Sequence, residues 1–276
     1  MKRETLDLSR RVFGIDFSGA SDAGRKIWIA GGIIKEGLLQ IQVCNQASEF
    51  PGANIKLDAC LEALRDFITR GKDGVFGFDF PFGLPRELIE ERNWKDFVLH
   101  FPENYPGPGK FRSKCRKPAT GRELKRITDV ESKAPFSPYN LRVYRQTYHG
   151  ISNVLHPLVK KHQACVLPMQ NALPDKPWIL EICPASTLKK LLQVKKLPSY
   201  KGTSDQHYKA RGLILDELME TNQLLIPRLI RSTAKDDSGG DALDSIIAAY
   251  STFHAYLNHF KVEPNENYNL EGYVFV

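Results

Sequence analysis

No apolar run in the 276-residue chain approaches the roughly 20 residues that cross a bilayer, so membrane insertion by a helix is not expected. The opening Met1-Lys2-Arg3-Glu4-Thr5 lacks the apolar stretch of a secretory leader. Cysteine is scarce and scattered: five residues, at 44, 60, 115, 165 and 183, with no Cys-x-x-Cys spacing. An odd, dispersed set builds neither a disulfide framework nor a zinc cluster, and reduced thiols suit a cytoplasmic protein. There is no low-complexity tract and no repeat longer than six residues. What remains, 42% hydrophobic and 26% charged, is the balance of a globular domain.

The chain also lacks a general charge excess. Its net +7 sits in one place, the stretch KFRSKCRKPATGRELKR from 110 to 126. Taking the eight basic residues and one acid of that stretch from totals of 39 and 32 leaves 31 of each elsewhere. Lys110, Arg112, Lys114, Arg116, Lys117, Arg122, Lys125 and Arg126 are therefore the candidate nucleic-acid contacts, because a concentrated positive patch attracts a polyanion. The alternation of the first four would align them on one side of an extended segment. The plain alternative is a solvated loop.

Three short apolar runs, 11–17, 26–34 and 38–43, are separated by Gly-, Ser- and Asp-bearing turns and read as an antiparallel meander. Leu57, Leu61, Leu64 and Ile68 then mark a helical stripe closed by Gly71, and a strand at 75–80 follows. A helix between two strands is a crossover, so that strand should run parallel to its neighbour. The stretch at about 81–177 is proline-rich and reads as an insertion in a single domain spanning 1–276. It carries helices predicted at 86–100 and 140–161, the second with Leu141, Tyr144, Tyr148, Ile151, Leu155 and Leu158 on its inward stripe. A fifth strand is predicted at 178–183, helices near 187–193 and 207–221, a strong helix from 238 to about 257, and an edge strand at 273–276.

Acids stand where apolar residues are expected. Residues 12–17 read VFGIDF and residues 75–80 read VFGFDF. Strand alternation puts Phe13, Ile15 and Phe17 on one face and Val12, Gly14 and Asp16 on the other, with the same phase for Phe76, Phe78, Phe80 and for Val75, Gly77, Asp79. Both aspartates lie near the carboxyl ends of their strands, where ligands bind in open α/β sheets. The glycines on the same face would leave room for an ion or a substrate. Asp241 and Asp244, three apart, share a helical face. Local roles compete: Asp16 or Asp79 could hold a turn, and Ser238-x-x-Asp241 matches a capping box. Four carboxylates converging on one crevice would need a cation, and Mg²⁺ or Mn²⁺ takes oxygen donors of this kind. Glu181, inside the fifth strand, is a further candidate, or else the buried partner of an arginine.

The order of elements resembles the ribonuclease-H-like fold. The class expected is α/β: a mixed five-stranded sheet, three antiparallel strands then parallel ones, flanked by helices. GGDALDSIIAAY resembles the D-x-x-D-A-L helix of RuvC-type Holliday junction resolvases, and VFGIDF resembles their first strand. A fuller resemblance, carried by GIDFSGA, GFDFPFGLP, LEICPAST and DALDSIIAAY between 14 and 250, is to domain of unknown function family 429, described as predicted nucleases. The resemblance implies that Asp16 is the first-strand metal ligand, Asp79 the fourth-strand acid, and Asp241 and Asp244 the helix acids. One departure is that RuvC-type enzymes usually carry Glu where this chain has Asp79. The activity implied is divalent-metal-dependent hydrolysis of phosphodiester bonds in nucleic acid, and junction cleavage would call for a homodimer. Two other classes compete. GIDFSG also resembles the first phosphate loop of sugar kinases and actin-like ATPases, which implies a phosphotransferase, and a non-catalytic nucleic-acid-binding protein would use the basic patch alone.

Overall fold

The computed structural model describes residues 10–118 and 122–276; the opening Met1–Thr5 and positions 119–121 of the basic stretch lie outside the described residues. The meander forms as its turns predict: β1 (Arg11–Asp16), β2 (Trp28–Lys35) and β3 (Leu38–Gln46) pair antiparallel in sequence. Helix α1 (Leu57–Arg70) crosses back, and β4 (Gly74–Phe78) lies parallel to β1, Gly14 beside Gly77 and Ile15 beside Phe78. The two near-identical hexapeptides are thus neighbouring strands in register. β5 (Cys165–Leu167) and β6 (Trp178–Ile182) extend the sheet in parallel. β7 (Leu224–Leu225) pairs with β3, and β8 (Val274–Phe275) pairs with the end of β6.

The sheet therefore has eight strands in the order β5-β6-β4-β1-β2-β3-β7, with β8 beside β6. It contains the five expected ones, with their expected directions, and is the mixed sheet of the ribonuclease-H-like class. The final edge strand forms too. β5 and β7, of three and two residues, are too short to leave a periodic signal.

Helices cover both faces. On one, the six phenylalanine and isoleucine side chains of the two hexapeptides pack with α1, with α2 (Trp94–Asn104) and α3 (Pro108–Arg116), and with the helical run 144–160. That run is α5 (Tyr144–His149), a π-helical turn at Gly150–Leu155, then α6 (His156–Lys160). Short α4 (Ile127–Glu131) lies between α3 and α5. The opposite face carries α7 (Pro184–Leu191), α8 (Asp205–Glu220), α9 (Arg228–Asp236) and α10 (Asp241–Leu257), with Val12 and Val75 beneath them. Helix α11 (Tyr268–Glu271) leads into β8.

Several local expectations shift for identifiable reasons. α2 starts at Trp94, not 86, because Asn93 caps it, accepting from the Asp96 amide; Pro85 and the extended Ile89 hold the preceding residues out of the helix. Leu141 is exposed, since α5 begins only at Tyr144. α10 starts at Asp241 after Gly240, whose φ of +76° an L side chain rarely adopts. The Ser238–Asp241 capping box does not form: Asp237 accepts from the Ala242 and Gly239 amides instead.

α10 is buried along nearly its whole length, and this explains the strand glycines. A Cβ on Gly14 would lie 2.0 Å from the Ala249 backbone nitrogen, and one on Gly77 1.9 Å from Thr252 Oγ1. The glycines do clear space beside the aspartates, but for a helix laid across the strands, not for an ion.

Candidate active site

Laying α10 over Gly14 and Gly77 brings its N-terminal acids over the carboxyl ends of β1 and β4. Asp16, Asp79, Asp241 and Asp244 line one cavity of about 420 Å³, together with Lys201, Tyr200 and Gln146. Asp16 ends β1, and the Asp79 amide donates to the Ile15 carbonyl at 2.9 Å, continuing the parallel pairing past β4. All four sequence candidates from these elements are therefore together.

They are not equivalent. Tyr200 Oη donates to Asp244 Oδ1 at 2.8 Å, and Lys201 Nζ lies 2.7 Å from Asp244 Oδ2 and 3.2 Å from Asp241 Oδ1. Both oxygens of Asp244, 4% exposed, thus have donors. Asp16 is 8% exposed, yet among the described residues neither its carboxylate nor that of Asp79 makes a hydrogen bond or ion pair. Burial, and after it the Asp244 charge, raise Asp16 well above the ordinary carboxylate range, while Lys201 acts in the other direction. The same two causes push Asp79 up to about 8. Burial opposes the charge on Lys201, but Asp244 and Asp16 outweigh it and hold the ammonium charged.

A buried carboxylate without a donor is costly unless a cation approaches. The donor chemistry of Asp16 and Asp79 fits a hard divalent ion, which commonly uses one or two carboxylates plus waters and substrate phosphate. Among the described residues no three His, Cys, Asp or Glu side chains are grouped to hold a metal. The expectation of four metal ligands is thus divided: two carboxylates are open, and two are held by an ammonium.

Glu181 lines the same cavity, but its carboxylate is held by an arginine. It is buried against Arg126 Nη1 and Nη2 and also accepts from the Phe82 amide at 2.8 Å, so it fills its arginine-partner role. Arg126 is correspondingly misassigned as a nucleic-acid contact: it is 0% exposed and clasped by Asp129 and Glu181, 2.7 and 2.5 Å away.

The other basic residues divide as well. Lys110 to Arg116 form helix α3, not an extended segment, so they do not align on one side. Phe111 and Cys115 turn inward. Lys114 pairs loosely with Glu90, and Lys125 donates to the Ala134 carbonyl at 2.7 Å. Lys110 and Arg122 are exposed. Arg112, Arg116 and Lys117 line a second depression with Tyr144. The guanidiniums of Arg112 and Arg145 stand 5.8 and 5.7 Å from the Tyr144 ring centroid. α3 packs on α5, and Gln146 of α5 donates to the Asp79 carbonyl at 3.2 Å. One helix thus separates the basic depression from the acids.

Two features bear on the competing classes. Gly14 lies under α10, and a Cβ on Gly19 would meet the Arg145 backbone at 2.5 Å. The glycines that suggest a phosphate loop are taken up by chain packing. No helix among the described residues is long and apolar enough to cross a membrane.

Lys201 and Tyr200 are the site residues that sequence reading missed. They lie in KLPSYKG, a loop without periodicity, 40 and 44 residues before the acids they meet.

No family model matches the chain, that of family 429 included, and no curated protein matches it. Among solved structures the chain is similar to the crystal structure of the yeast mitochondrial Holliday junction resolvase Ydc2. The two are 12% identical, with 93% of this chain and 86% of that one covered and a TM-score of 0.43.

Proposed function

We propose that the protein is a divalent-metal-dependent nuclease, hydrolysing phosphodiester bonds in nucleic acid at the cavity lined by the four aspartates. The observation that carries this reading is the pair of carboxylates, Asp16 and Asp79, set side by side at parallel strand ends and lacking any donor among the described residues. Mg²⁺ or Mn²⁺ bound by them would supply Lewis acidity for attack of water on a phosphodiester. Lys201 adds fixed positive charge for the phosphate, and burial of Asp16 strengthens every electrostatic contact made there. The basic residues Lys110, Arg112, Lys114, Arg116, Lys117 and Arg122 supply longer-range attraction for a polyanion. Arg126 and Glu181 act on the pocket only as its supporting wall. The name of the neighbouring resolvase makes branched DNA one substrate to include, without favouring it.

The test is cleavage of labelled single-stranded, duplex and branched DNA, and of RNA, with Mg²⁺ and then Mn²⁺. Wild type should cut at least one substrate; Asp16→Asn and Asp79→Asn should each lose at least 100-fold in rate, the order expected when charge stabilisation at a reacting centre is removed. Equal rates for wild type and Asp16→Asn would reject the reading. Binding without cleavage, unchanged by EDTA, would favour the non-catalytic binder.

A further inference from the structure

The four carboxylates are divided by one side chain, and the division has a mechanical basis. Lys201 is half exposed, but the backbone on both sides of it is anchored. Buried Arg211 donates through Nη1 to the carbonyls of Tyr200 and Gly202, at 2.6 and 3.0 Å, and through Nε to that of Lys235 at 2.7 Å. The Gly202 amide donates to the Ser238 carbonyl at 2.8 Å. The Lys201 side chain also packs against Gly240, where an added Cβ would lie 3.0 Å from its Cγ. Its ammonium is thus delivered to Asp241 and Asp244 by a strapped loop, with Tyr200 on the remaining oxygen of Asp244.

Nucleases that use two ions stabilise the attacking and the leaving oxygen with one cation each. Here one side of the carboxylate cluster already faces a cation that is part of the chain. We propose that Lys201 takes the place of one of the two cations, so that the protein holds a single exchangeable divalent ion, on Asp16 and Asp79. Calling that ion catalytic rests on the nuclease reading above; the division of the carboxylates does not. An ammonium cannot be stripped by a chelator. Two of its three N–H donors face Asp244 and Asp241, and the third suits a phosphate oxygen, so Lys201 is assigned as the residue that positions the phosphate on the Asp241–Asp244 side.

The experiment is a count of Mn²⁺ bound per chain, by electron paramagnetic resonance of the free ion, on folded full-length protein. Wild type should bind one ion, Lys201→Arg one, Asp16→Asn none, and Lys201→Met two, because losing the ammonium frees Asp241 and Asp244. Lys201→Gln serves if the Met variant does not fold, and the wild-type count stands as a test by itself. A wild type that binds two ions, or a Lys201→Met count equal to that of wild type, overturns the assignment. A wild type that binds none overturns the assignment and the metal-dependent reading together. A count that rises from one to two in a protein that cuts no oligonucleotide upholds the assignment and rejects the nuclease.

Discussion

Asp16 and Asp244 are both buried aspartates of one cavity, and neutralising them should move stability in opposite directions. Among the described residues Asp16 has no donor, so Asp16→Asn removes a buried acid that only the nearby Lys201 charge offsets and should raise metal-free stability by about 1 kcal/mol. Asp244→Asn weakens the contact with Lys201 and disturbs that with Tyr200, and should lower it by about 2 kcal/mol. Chemical denaturation in EDTA measures both. The pH dependence follows from the same asymmetry. A carboxyl group whose folded pKa lies above its unfolded value contributes stability that is whole below the unfolded value and is lost as pH rises through the folded one. For Asp79 that interval runs from about 4 to about 8, and Asp16 is raised in the same direction. The melting temperature of Asp79→Asn should therefore gain on that of wild type between pH 5 and pH 8 in EDTA. A gap that stays constant over that range would count against the open-carboxylate picture.

Helix α10 is the element that makes the cavity, and its seat is defined by two glycines. Gly14→Ala places a methyl 2.0 Å from backbone that cannot retreat and should cost about 3 kcal/mol or more, read as a drop in the denaturation midpoint. Much of this layer was legible in the sequence. The phase of VFGIDF and VFGFDF gave each strand its two faces, and the DALDSIIAAY run gave a buried helix with acids at its head. Their meeting followed from the fold the motifs resemble. What the glycines make room for was not legible, because a residue without a side chain records only that something is close. Arg126 reads as exposed charge because its distant partners, Glu181 and the Glu271 carbonyl, lie 55 and 145 residues farther along the chain, and net charge takes no account of burial. Lys201 was missed for a related reason: a loop lysine has no periodic context, and only the strap through Arg211 distinguishes it from a solvated one.

At the largest scale, the basic depression beside α3 and the aspartate cavity are separate regions joined by α5. Polyanion binding should then be separable from chemistry. Nucleic-acid affinity measured in EDTA should fall with salt, and Arg112→Glu/Arg116→Glu/Lys117→Glu should flatten that dependence by about 2 in the log–log slope for a single strand. Asp16→Asn should leave it nearly unchanged. Fluorescence anisotropy over a salt series checks this, and an unaltered slope in the triple variant would exclude α3 as the contact surface.

The clasp around Arg126 also bears on the order in which the fold should assemble. It draws on residues far apart in the chain: Glu181 reaches it across 55 positions, and the carbonyl of Glu271 across 145. Glu271 in turn accepts from the Arg86 amide, 185 positions away, and from that of Ile127. Contacts of such separation should form late, because the loops they close are long. A growing chain that has not yet presented Glu271 leaves Arg126 short of one acceptor, and the wall beside Asp16 and Asp79 unfinished. Competence at the cavity is thus tied to the arrival of Glu271: a chain that stops between Asp244 and Glu271 holds all four aspartates without the finished wall that frames them.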